Sequence, residues 1–121
     1  MLRGNVILVH GARGKSHLIN SLCEDQPRIV ITTTIAHYPY AVASYRVPNS
    51  KEPPKELMSI LEDPKLPNIF ILNRMAGLIE HHQPWRDFLR KVKERGALVF
   101  LEELHNTEFT KKIVYCDMLT E

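Results

Sequence analysis

Asn5-Val6-Ile7-Leu8-Val9-His10-Gly11-Ala12-Arg13-Gly14-Lys15-Ser16 is the stretch whose reading decides the fold. Its first five residues form a short apolar run, β-branched at Val6, Ile7 and Val9, which suits a strand buried on both faces. A Gly-rich turn follows from His10 to Gly14. Lys15 to about Cys23 then reads as a helix, with Leu18, Ile19 and Leu22 on one side. Phosphate binding needs backbone N–H groups turned toward one point. Glycines permit this because they reach backbone angles closed to other residues and let an anion approach closely. A helix starting at the loop adds the positive end of its dipole. The amides of Gly11, Ala12, Arg13, Gly14, Lys15, Ser16 and His17 are therefore the expected phosphate cradle. Lys15 would supply a point charge for the β- and γ-phosphates, and the Ser16 hydroxyl would ligand magnesium.

Working outward, Pro27 closes this first unit, and Arg28 to Ile35 is β-rich enough for a second strand. Between Ala36 and Pro54, three tyrosines (Tyr38, Tyr40 and Tyr45) alternate with small residues, and Pro39 and Pro48 interrupt regular structure. A loop with one short strand near Ala43–Val47 is expected there, the tyrosines of Pro39–Tyr45 packing in the core or stacking on bases or an adenine ring. Pro53-Pro54 opens a helix with Leu57, Met58 and Leu61 on its apolar face. Asp63-Pro64 ends that helix. Asn68 to Leu72 reads as a third strand.

The next helix carries the clearest pattern. Pro84 starts it, and Trp85, Phe88, Leu89 and Val92 fall at i, i+3, i+4 and i+7. Its other face bears Arg86, Arg90, Lys91, Lys93 and Arg95, and Gly96 caps it. Ala97–Leu101 and Lys112–Cys116 complete the strands. Apolar strands alternating with amphipathic helices argue for a three-layer α/β domain with a mostly parallel sheet of about five strands.

The 121 residues fit one domain spanning 1–121. Composition, 44% apolar and 25% charged, is that of a folded protein able to bury its own core. A net charge of only +2 gives no global argument for nucleic acid. The basic face from Arg86 to Arg95 is either a solvated surface or a track for a nucleic-acid backbone. Cys23 and Cys116 stand in no metal-ligand spacing; they are read as reduced, buried thiols, with a disulfide as the alternative. The first residues lack the apolar core of a signal peptide, and no segment approaches the ~18 apolar residues of a membrane span. A cytoplasmic protein without membrane contact is expected.

The string Gly11-Ala12-Arg13-Gly14-Lys15-Ser16 resembles the short phosphate loop, Gly-x-x-Gly-Lys-Ser, of the Mur ligase superfamily, and is most similar to its poly-γ-glutamate synthase branch. The commoner P-loop pattern has a further glycine where this chain has Val9. Over residues 5–35 the resemblance implies a P-loop NTPase-like fold, with Gly11, Gly14, Lys15 and Ser16 on ATP phosphates and magnesium. It does not extend to the larger domains of those ligases. A second resemblance is to the additional-strand ATPases that package or pump DNA. There, the segment from Arg95 to His105 is similar to a strand ending in the acids that serve hydrolysis. It implies that Glu102 holds magnesium through water and Glu103 polarises the attacking water, although that family prefers Asp at the first position. If Asn68–Leu72 is instead the acid-bearing strand, it ends in Asn73-Arg74, without a carboxylate.

The function expected is ATP binding with weak magnesium-dependent hydrolysis in DNA transactions. Lys15, Glu102 and Glu103 would be the catalytic residues, ATP and Mg2+ the cofactors. A homo-oligomer in which Arg74 or Arg86 completes a neighbour's site fits this class. The alternative is a non-enzymatic interaction module on a P-loop scaffold. His81-His82 beside Glu80 reads as a surface loop rather than a metal site. The strand–His-Gly turn lacks the Gly-x-Ser-x-Gly elbow that an α/β-hydrolase requires.

Overall fold

The structure is a computed structural model that describes residues 6–10, 15–34, 38–47, 52–102 and 112–115. Ten elements follow in chain order: β1 (Val6–His10), α1 (Lys15–Cys23), β2 (Arg28–Thr32), β3 (Ala41–Arg46), α2 (Lys55–Ile60), β4 (Ile69–Asn73), α3 (Ala76–His81), α4 (Gln83–Glu94), β5 (Leu98–Glu102) and β6 (Lys112–Tyr115). The strands form one six-stranded sheet in the order β3-β2-β4-β5-β1-β6. Five of them run parallel, and only β6 pairs antiparallel, against β1. The expected three-layer α/β architecture is thus present, with an extra antiparallel strand at one edge.

Alternation along each strand divides the core in two. Val6, Ile29, Ile31, Phe70, Leu72, Val99 and Leu101 join one cluster, with side chains of α2, α3 and α4. Ile7, Val9, Val30, Ile71 and Phe100 join the other, with Ile19 and Cys23 of α1. Burial on both faces is why the strands read as continuous apolar runs. The distribution of helices follows from chain order. From β1 to β2 to β3 the chain steps toward one edge of the sheet, and from β3 to β4 to β5 it steps back. Right-handed crossovers in opposite directions must lie on opposite faces. Tyr38, in the connection between β2 and β3, accordingly packs into the α1-side cluster.

Trp85, Phe88, Leu89 and Val92 are all fully buried, as their spacing on α4 requires. Burying four such side chains contributes roughly 2 kcal/mol each before entropy is counted. Gly96 takes φ 81°, a left-handed angle that favours glycine, and its N–H reaches the Lys93 carbonyl at 2.8 Å to end the helix. Two expectations need correction. His81-His82 is not in a loop: His81 closes α3 and His82 is the junction to α4, because Leu78 and Ile79 bury against the core and pull the segment into a helical turn. The short strand near Ala43–Val47 starts earlier, at Ala41, and is the parallel edge of the sheet. Among the described residues, no helix is long and apolar enough to cross a membrane.

Candidate functional site

The carboxyl ends of β2, β4 and β5 come into line beside β1. Thr32 is in register with Asn73, Asn73 with Glu102, and Glu102 with Val9. Each polar residue stands two positions after a residue of the α1-side cluster (Val30, Ile71 and Phe100), so period-two alternation carries all three to the α1 face. α1 begins at Lys15, and its second residue, Ser16, meets the end of this row at Glu102. Crevices beyond the carboxyl ends of parallel strands are where open α/β sheets bind ligands.

The side chains are joined. The Ser16 hydroxyl donates to the Glu102 carboxylate, 2.8 Å from Oε2 and 3.2 Å from Oε1, linking residues 86 apart in sequence. Tyr38 Oη and Asn73 Nδ2 both donate to Glu102 Oε1 in short hydrogen bonds. Asn73 Nδ2 also lies 3.0 Å from Tyr38 Oη, and Tyr38 Oη lies 3.3 Å from Ser16 Oγ. Behind them the Thr32 hydroxyl has two acceptors, Asn73 Oδ1 at 2.7 Å and the Thr34 carbonyl at 2.9 Å, and the shorter bond turns the Asn73 amide nitrogen toward Glu102. Thr32 Oγ1 in turn accepts the Thr34 N–H at 3.1 Å.

Glu102 is only 4% exposed, and a buried carboxylate needs donors of this kind. Burial, followed by the hydrogen bond to Glu102, pushes the Tyr38 hydroxyl far above the ordinary tyrosine range, so it remains a proton donor. Lys15 is buried at the head of α1. Immediately after Asn73, Arg74 adopts φ 64° and its N–H bonds the Glu102 carbonyl. A left-handed non-glycine residue costs on the order of 1 kcal/mol, here spent on turning the chain out of the sheet beside the carboxylate.

Of the residues expected from sequence, the structure brings Ser16 and Glu102 into contact, with Lys15 next to Ser16 at the start of α1. His17 is exposed in the first turn of α1. Gly11, Ala12, Arg13, Gly14 and Glu103 lie outside the described residues. The carboxylate that meets Ser16 belongs to β5, the direct neighbour of β1, and Asn73 stands beside it as a partner rather than a replacement.

Tyr38, Asn73 and Thr32 were missed as site residues. A strand that ends in a polar residue on its otherwise apolar face was the signal available for Thr32 and Asn73. Tyr38 gave none, because its contact with Glu102 spans 64 residues. Hard oxygen donors, one hydroxyl and one carboxylate, match what Mg2+ takes from a protein when substrate phosphates and water complete its shell. Ser16 and Glu102 fit that ion. No group of three or more His, Cys, Asp or Glu among the described residues could hold a metal without such help.

The basic face of α4 is partly committed elsewhere. Arg95 turns inward, donating to Asn68 Oδ1 at 2.7 Å and to the Ile60 and Leu66 carbonyls, with its guanidinium 5.8 Å from the Phe70 ring centroid. Arg90 pairs with Asp87 at 3.2 Å on the surface. Cys23 is buried and free, its thiol pushed up by burial and partly lowered again by Arg28; Cys116 lies outside the described residues. No protein-family model, curated protein or solved structure matches the chain.

Proposed function

We propose that this protein binds ATP with Mg2+ through the loop after β1 and hydrolyses it slowly. The observation that carries the proposal is the hydrogen bond from Ser16, at the head of α1, to the buried Glu102 carboxylate at the end of the neighbouring parallel strand. A serine following Gly-Lys and a carboxylate on the adjacent strand are the two protein groups that a phosphate-bound magnesium calls for. Lys15 would neutralise charge on the β- and γ-phosphates, and Ser16 and Glu102 would hold the ion. Bound magnesium would supply charge stabilisation for the transferring phosphoryl group.

A second proposal, nucleotide binding without turnover, is favoured by Asn73, which ends β4 beside Glu102 with an amide where a second carboxylate could have stood. The test is magnesium-dependent ATP binding by calorimetry on wild type and Lys15→Ala, followed by a phosphate-release assay. Binding that vanishes in Lys15→Ala supports the phosphate site, and release separates the two proposals. A folded wild type that does not bind ATP in magnesium refutes both.

A further inference from the structure

We infer that Tyr38 is a latch on the metal position: its hydroxyl holds Glu102 in the bond that a cation's own water would otherwise make, and the cation must displace it. The inference rests on the phosphate-site proposal for the identity of the nucleotide, but its cation arm can be tested without one.

Oxygen by oxygen, Glu102 Oε1 accepts hydrogen bonds from Tyr38 and from Asn73 and lies 3.2 Å from the Ser16 hydroxyl. Oε2 accepts the Ser16 hydroxyl at 2.8 Å. Ser16 Oγ and Tyr38 Oη are themselves 3.3 Å apart. The three groups are therefore in mutual contact, and a hydrated ion has no room between them while Tyr38 stays in place. Mg2+ sheds its water reluctantly and keeps several molecules when bound to proteins. Were such an ion held at Ser16 and Glu102, its water could take the phenol's place as donor to Glu102, and Tyr38 would have to give way.

Asn73 makes the exchange feasible. Its amide oxygen accepts from Thr32, so the amide stays oriented and Glu102 keeps the Asn73 donor when the phenol leaves. Tyr38 would thus set how much magnesium the site needs, and its release would be felt in the β2–β3 connection that carries it.

The direct experiment is Mn2+ binding with inorganic phosphate in place of nucleotide, followed by electron paramagnetic resonance, on wild type, Tyr38→Phe and Glu102→Gln. Tyr38→Phe keeps the buried ring and removes only the hydroxyl. The expected result is affinity about tenfold tighter in Tyr38→Phe, the factor that about 1.4 kcal/mol represents, and loss of binding in Glu102→Gln. Equal or weaker binding by Tyr38→Phe overturns the latch, as does absence of binding in both proteins. A measurement on wild type alone guards against a variant that fails to fold. Mg2+ should produce a saturable tyrosine difference spectrum in the near ultraviolet, and its absence overturns the latch as well. The two proposals separate cleanly. A Tyr38 effect on Mn2+ in a protein that ignores ATP refutes the nucleotide and leaves the latch standing. ATP binding with the same magnesium requirement in wild type and Tyr38→Phe does the reverse.

Discussion

Replacing Glu102 by alanine and by glutamine should give sharply different stabilities, and the difference follows from the donors around it. In Glu102→Ala, Tyr38 Oη and Asn73 Nδ2 lose their shared acceptor in a buried setting. An unpaired buried donor costs about 1–3 kcal/mol. Asn73 keeps Tyr38 as a second acceptor at 3.0 Å, so the pair should cost about 2–3 kcal/mol, the low end of the roughly 2–6 kcal/mol that two unpaired donors would cost. For a chain of this size, 1 kcal/mol moves Tm by about 4 °C, which predicts a drop of about 8–12 °C.

Glutamine has the same shape and can satisfy every partner. Its amide oxygen accepts Tyr38 and Asn73, and its amide nitrogen donates to Ser16, whose hydroxyl rotates. Losing the charge weakens three hydrogen bonds by about 1 kcal/mol each. It also removes the burial penalty of a carboxylate, which is several kcal/mol. The two nearly cancel, and Tm in Glu102→Gln should stay within about 4 °C of wild type. Thermal unfolding by circular dichroism in chelator-treated buffer measures both. If Glu102→Gln falls as far as Glu102→Ala, the carboxylate charge itself holds the site together, and the reasoning from hydrogen-bond matching is wrong.

Two further outcomes are expected. Arg95→Ala should lower stability by about 2 kcal/mol, because it strips donors from Asn68, Ile60 and Leu66, and should leave any affinity for single-stranded DNA unchanged. Urea unfolding together with a filter-binding assay checks this, and a stable variant with weakened DNA binding would contradict it. Tyr38 should also make the protein sensitive to alkali. Its folded pKa lies above the ordinary tyrosine value of 10.0, so the unfolded chain releases a proton that the folded one retains. The stability from this group is complete below that pH and is lost as pH rises above it. Tyr38→Phe should flatten the decline, as urea midpoints between pH 9 and 11.5 would reveal.

The sheet and α4 were legible because local pattern and tertiary burial agree there. The strand residues alternate between two buried faces, and Trp85, Phe88, Leu89 and Val92 repeat at helical spacing. The helix over Ala76–His81 was not legible: its six residues are too few for the period to declare itself, and only docking of Leu78 and Ile79 fixes it. Lys15, Ser16 and Glu102 were read from residue type and order, without knowing which strand lies beside β1. That neighbour is set by the direction of the crossovers, which is a property of the whole chain. Asn73 looked like an absent acid when read along its own strand. Across the sheet it is a donor to the acid next door. Arg95, read with the basic face of α4, could not be told apart from its neighbours by type, yet its guanidinium turns to the carbonyls of Ile60 and Leu66 beneath it.

The row Thr32–Asn73–Glu102, with Ser16 above it, runs across the strands rather than along them. Its bonds therefore report on every pairing between β1 and β2 at once. Slipping any one of those parallel strands by a single residue would turn its polar end to the opposite face and cut the row. Assembly of the chain and readiness of the site are consequently the same event. A partly assembled molecule, however much of its secondary structure it had, would present no prepared carboxylate to a cation, so ligand capture would sample only molecules whose sheet is correctly aligned.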